Sequence, residues 1–134
     1  MTKDLSNLVR ERALEICEYC RLPEAFSRMP FEVDHITARK HDGKTLLSNL
    51  AWSCFYCNSF KGSDLSGIDS KTLRLTRLFR LRRHKWGQHF RWNGPILVGR
   101  TAIGRTTIAV LRINLSARVD HRESLIEEEV FPPE

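Results

Sequence analysis

Apolar residues recur at helical spacing from the start of the chain. Leu5, Leu8, Val9, Ala13 and Ile16 share one face, with Arg and Glu on the other, which predicts a helix over residues 4–16. "RLPEAFSRMP" carries two prolines and reads as a loop. "FEVDHI" follows as a short strand, "ARKHDGKTLLSNL" as a polar loop turning at Gly43, and "LAWSC" as a second strand. "CNSFKG" then opens a helix, with Asn58 near its first turn.

Farther on, Leu73 to Leu75 suggests a strand beside a basic segment. "FRWNGPILVGR" predicts a hairpin, because Asn93-Gly94 between strand-like runs is a type I′ signal. In "TAIGRTTIAVLRIN" the β-branched residues favour strand, while Ile103, Thr107, Val110 and Leu111 fit one helical face; helix is the reading taken. A last helix is expected from about Arg118 to Glu129, before "FPPE". Helices and short strands mixed in this order make the class α+β.

One run does not fit its element. Val33 and Ile36 mark "FEVDHI" for burial, yet Glu32, Asp34 and His35 are costly to bury without partners. Composition does not explain it: 41% hydrophobic and 28% charged is ordinary for a globular chain of 134 residues, expected to be a single domain over 1–134. No run reaches the length of a membrane span, and the N-terminus is too charged for a signal peptide, so a cytoplasmic protein is expected. Charge is more informative. The net charge is +6, and no acidic residue occurs between Asp69 and Asp120. Such a one-signed stretch points to a polyanion, most simply nucleic acid, although a merely basic solvated surface has the same composition.

The four cysteines form two CxxC pairs, "CEYC" (Cys17, Cys20) and "CFYC" (Cys54, Cys57). In a reducing compartment two such pairs read as a tetrahedral zinc site more readily than as disulfides. Zinc ribbons often space their pairs by about 15 to 20 residues. The interval from Cys20 to Cys54 is much longer and contains Asp34, His35 and Asn49, with Asn58 directly after the second pair. A structural metal would clamp both ends of that insert and fix its polar residues in space.

"EVDHI", "LSNLAWSC" and "CFYCNSFKG" together resemble an HNH endonuclease of the cysteine-containing type. The tail segments "DLSGID", "HFRWNG" and "GRTTIAVLRIN" are similar to those of a set of small bacterial, often cyanobacterial, HNH proteins. The resemblance implies a ββα-metal (His-Me finger) core over about residues 17–62, clamped by the four-cysteine zinc site. An N-terminal helix would flank it, and a basic extension from about residue 63 to 134, with hairpin and helices, would follow.

The resemblance also implies roles. His35 would be the general base, Asp34 and Asn58 the ligands of a catalytic divalent ion (Mg²⁺, Mn²⁺ or similar), and Asn49 the residue that orients the base. A neutral imidazole titrates near pH 7, and carboxylate and amide oxygens are hard donors, so the residue types suit the chemistry. Successive strand residues point to opposite faces, so Asp34 and His35 cannot share one face of a regular strand. Taken singly, Asp34-His35 could be a surface ion pair, Asn49 a loop residue and Asn58 a helix cap. Lys61, Arg74, Arg77, Arg80, Arg82, Arg83 and Lys85 are the candidate contacts to phosphate. The expected partner is DNA, taken as double-stranded with RNA left open; the oligomeric state is left open, with a second copy or a targeting protein as alternatives, and no membrane is expected. The rival expectation is a zinc-stabilised nucleic-acid-binding module without hydrolysis.

Overall fold

A computed structural model describes residues 1–133. The chain divides into two compact units, Met1–Ser63 and the part from Asp64 on. That boundary falls beside the expected end of the motif core.

In the first unit, α1 (Lys3–Arg12) is capped by Thr2, whose hydroxyl accepts from the Leu5 N–H at 3.1 Å. It stops four residues short of the expected end because Leu14 and Glu15 adopt positive φ (57° and 58°), turning the chain into the first cysteine knuckle. The Arg10 guanidinium braces this turn, reaching Glu15 at 2.7 Å and Glu24 at 2.8 Å. Strands β1 (Glu32–His35) and β2 (Leu50–Ser53) pair antiparallel, with Asp34 opposite Ala51 and His35 opposite Leu50. All four β2 residues are buried. Helix α2 (Phe55–Lys61) follows, with Cys54 as its N-cap. Strand, strand, helix is the ββα order the resemblance implies, and with the cysteine cluster described below the α+β ββα-metal class holds.

The second unit opens with β3 (Ser66–Ile68) and β4 (Leu75–Arg77), an antiparallel pair. The strand expected at Leu73 begins later because Leu73 itself has φ 62°. A short helix α3 (Trp86–His89) leads into β5 (Phe90–Asn93) and β6 (Ile96–Gly99). This is the expected hairpin with a different turn. Asn93 pairs with Ile96, so Gly94 and Pro95 are the central residues. Gly94 takes φ 58°, and the ring of Pro95 holds φ negative, a pattern that fits type II′ and excludes I′. The ambiguous segment is helical, as α4 (Ala102–Val110), and α5 (Ser116–Glu127) matches the last expected helix within two residues. Leu78, Phe79, Phe90, Leu97, Leu111 and Leu125 supply the core of this unit. Asp69 is buried there, held by the Arg105 guanidinium at 2.9 and 3.0 Å. No helix of the described residues is long and apolar enough to cross a membrane.

Candidate metal and active site

The two cysteine knuckles converge. Cys17, Cys20, Cys54 and Cys57 are buried, unbridged, and have all four sulfurs within 4.8 Å of one another. Sulfurs at about 2.3 Å from a tetrahedral zinc lie about 3.8 Å apart; Cys20 and Cys54 are at 3.7 Å. Backbone geometry prepares the cluster. In the first knuckle the Cys17 N–H donates to Leu22 and its carbonyl accepts from Arg21, both at 2.9 Å, with Arg21 at φ 67°. In the second, the Cys57 N–H donates to Cys54 Sγ at 3.4 Å. Burial, followed by contacts with the neighbouring thiols, pushes Cys17 and Cys57 well above the usual thiol range. Four thiols in such a site cannot ionise without a cation, so the donor set suits a metal and fits little else.

The knuckle is joined to the sheet. Glu18 N–H donates to the Trp52 carbonyl at 2.9 Å, and Trp52 N–H donates to the Glu18 carboxylate at 2.8 Å. The cluster therefore fixes β2, and through the ladder β1, on which Asp34 and His35 sit.

Alternation along β1 separates those two side chains, as the strand geometry requires. Asp34 points inward and is 3% exposed. Its Oδ2 accepts from the Tyr19 hydroxyl at 2.8 Å, and its Oδ1 from Lys61 Nζ at 3.2 Å. Burial pushes the Asp34 carboxyl up, and Lys61 and Tyr19 partly offset this. Tyr19 is itself raised, first by burial and then by the Asp34 charge. His35 is half-buried, with Nε2 at 2.9 Å from the Thr45 hydroxyl. Thr45, which carried no motif signal in the sequence, is thus the side chain that meets the imidazole.

Asn49 acts on the loop behind His35. Its amide oxygen accepts from Thr37 N–H at 2.9 Å, and its Nδ2 donates to the carbonyls of Thr37 (2.9 Å) and Lys44 (2.8 Å). Its own carbonyl accepts from Ile36 N–H at 2.8 Å. The side chain closes the 37–44 loop and holds the backbone next to His35, so any influence on the imidazole runs through the main chain. Gly43 completes this closure, since a Cβ there would lie 1.7 Å from the Thr37 carbonyl oxygen.

Helix α2 covers the Glu32/Asp34 face of β1. Asn58 Nδ2 donates to Glu32 Oε2 at 2.8 Å, and Lys61, one turn on, reaches Asp34. Glu32 shares its strand face with Asp34 and so gains a partner that sequence alone did not supply. Lys61 does not lie on a nucleic-acid surface. It is 3% exposed, and its ammonium also donates to the carbonyls of His35 and Ile36, each at 3.2 Å. A lysine three residues after Asn58 faces β1 as Asn58 does, which is why it is buried. Of the other candidate phosphate contacts, Arg74, Arg77, Arg82, Arg83 and Lys85 are exposed and Arg80 is half-exposed.

Comparison with curated proteins and with solved structures returns no match. Comparison with protein-family models matches residues 17–64 to the family described as HNH endonuclease. The match begins at Cys17 of the first knuckle and ends just beyond α2, so it coincides with the cysteine cluster and the β1–β2–α2 unit built above. Residues 17–64 of this chain are therefore similar to the HNH endonuclease family.

Proposed function

We propose that the protein is a metal-dependent HNH endonuclease that hydrolyses phosphodiester bonds of DNA, with both units serving that one activity. The supporting observation is His35. It is a half-buried imidazole fixed by Thr45, on a strand held from behind by the Asn49 loop clamp and by Lys61, within the family-matched segment.

Zinc is the ion proposed for Cys17, Cys20, Cys54 and Cys57, because four thiolates select a soft tetrahedral metal. Its role would be structural, tying the first knuckle to the junction of β2 and α2. The four unbridged thiols favour a reducing cytoplasm.

The proposed catalytic donors for Mg²⁺ or Mn²⁺ are hard oxygens along the α2 edge of β1. The Asn58 amide oxygen fits, since its Nδ2 is engaged by Glu32. Asp34 would be the second donor, provided the ion takes the place that the Lys61 ammonium holds beside it. When bound, such an ion supplies Lewis-acid stabilisation of the phosphate and the departing oxygen. His35 accepts a proton from water as the water oxygen bonds to phosphorus. The bond from phosphorus to the 3′ oxygen breaks, the departing oxygen takes a proton from solvent water, and a 3′ hydroxyl and a 5′ phosphate result. Thr45 orients the ring for that transfer, and Asn49 holds the backbone that presents it.

Supercoiled plasmid incubated with Mg²⁺ or Mn²⁺ tests this reading. Conversion to nicked or linear forms, lost on chelation and in His35→Ala, is the expected result. Salt-dependent binding with no cleavage under any divalent ion would identify the non-catalytic binding module instead.

A further inference from the structure

Strand β4, the turn after it and the first turn of α4 enclose a cleft of about 540 Å³. Four of its lining side chains are arginines: Arg74, Arg77, Arg80 and Arg83. Guanidiniums gathered this closely ordinarily interleave with carboxylates. Here the local carboxylate is already engaged, because both Asp69 oxygens accept from Arg105 and Oδ2 also accepts from the Thr72 hydroxyl. No acidic residue follows until Asp120. Among the described residues, no carboxylate lies within ion-pair distance of any of the four. Arg80 registers the crowding: burial, then Arg77 and Arg83, lower its proton affinity. A fold that keeps four like charges facing one cavity retains a standing attraction for a multivalent anion.

The rim is apolar. Leu75 lines the cleft and is 74% exposed, its cross-strand partner Ile68 is 57% exposed, and Leu73 is 76% exposed. Leucine and isoleucine exposed beside arginines suit the sugar edges and grooves of a nucleic acid and serve no purpose for a small inorganic anion.

We propose that this cleft is a DNA-backbone clamp. Arg74, Arg77, Arg80 and Arg83 grip successive phosphates of one strand of a duplex, and Ile68, Leu73 and Leu75 lie against the adjoining groove. The clamp rests on the nuclease reading for its biological use and on its own geometry for its binding. It narrows the basic stretch from a diffuse field to one defined cleft, which leaves Arg82 and Lys85 of the expected phosphate contacts outside its lining.

The experiment uses full-length zinc-loaded protein carrying His35→Ala, so that binding is read without cleavage. Fluorescence anisotropy with a labelled duplex gives affinity against salt. Each phosphate contact contributes roughly 0.9 to the slope of log K against log salt. Arg77→Gln, Arg80→Gln and Arg83→Gln together should therefore lower the slope by about two to three. The charge-matched triple Lys71→Gln, Lys85→Gln and Arg91→Gln should lower it by less than about one. Leu73→Ser with Leu75→Ser should weaken binding at every salt concentration and leave the slope unchanged. Equal loss from the two charge triples would overturn the clamp, as would pyrophosphate saturating the cleft without displacing the duplex. The triple Arg77→Lys, Arg80→Lys and Arg83→Lys guards against a folding defect: it should keep the wild-type slope, and failure to do so with an intact thermal melt also refutes the clamp. Loss of the nuclease reading would appear separately, as wild-type protein that binds and does not cut.

Discussion

Lys61→Met tests the electrostatics beneath the site. Lys61 and Asp34 are each 3% exposed, and Nζ lies 3.2 Å from Asp34 Oδ2 as well as from Oδ1 and the two backbone carbonyls. Removing one partner of a buried pair costs ~3–5 kcal/mol, chiefly because the other charge stays behind. Two features place this pair near the lower bound. Its contacts exceed the about 2.7–2.9 Å of strong charge-assisted bonds. Tyr19 would also remain to donate to Asp34, whose carboxyl burial already pushes toward the neutral form. A cost near 3 kcal/mol corresponds to a fall in melting midpoint of about 12–24 °C for a unit of this size. Asp34→Asn should cost a similar amount by stranding the ammonium. The double variant should cost clearly less than the sum, with a coupling of about 2–3 kcal/mol. Thermal and urea unfolding of the zinc-loaded protein at pH 7 reads all three. A loss under about 1 kcal/mol for Lys61→Met, additive with Asp34→Asn, would place the ammonium in solvent and refute the buried pair.

Metal removal and pH probe the two units separately. Cys57→Ser, or chelation of the wild type, should abolish zinc retention and hydrogen-exchange protection at Leu50, Ala51 and Trp52, while Phe90 and Leu97 keep theirs; retained protection in β2 would show that the metal does not hold this unit. In the second unit, the hydrogen bonds from Arg105 hold the Asp69 carboxyl well below its usual range. A depressed folded value means that the stabilisation is present above the unfolded value, about 3.9, and is lost as pH falls through the folded value. The urea midpoint of wild type should therefore exceed that of Asp69→Asn at pH 6, and the gap should close below about pH 4. A gap independent of pH would remove the ion pair as its source.

The elements were readable where periodicity and turn chemistry agreed. The pattern that began at Leu5 gave α1, and Gly94 marked the hairpin, but chain ends and turn types depended on contacts with no sequence signature. The left-handed pair Leu14-Glu15 exists to aim the first knuckle, and Pro95 overrode the preference of Asn93-Gly94. At the candidate site, motif order pointed to the four cysteines, which cluster, and to Asp34, His35, Asn49 and Asn58 as candidates, because metal and catalytic chemistry restrict residue type and spacing. It could not reveal Thr45 at His35, Tyr19 at Asp34 or Glu32 at Asn58, since those pairings arise from the packing of α2 and the 37–49 loop on β1. Lys61 shows the limit most plainly. A basic residue at the end of a short helix reads as a phosphate contact until the helix phase turns it toward Asp34.

The most direct test of the account is the cleavage rate of a saturating DNA duplex by wild type and His35→Ala, each with its zinc content measured. A general base contributes roughly 10²–10⁴-fold. One zinc per chain in both proteins, equal DNA binding, and a rate lower by at least about a hundredfold in His35→Ala with Mg²⁺ or Mn²⁺ are expected. Cleavage undiminished by the substitution, in protein that retains its zinc, would contradict it.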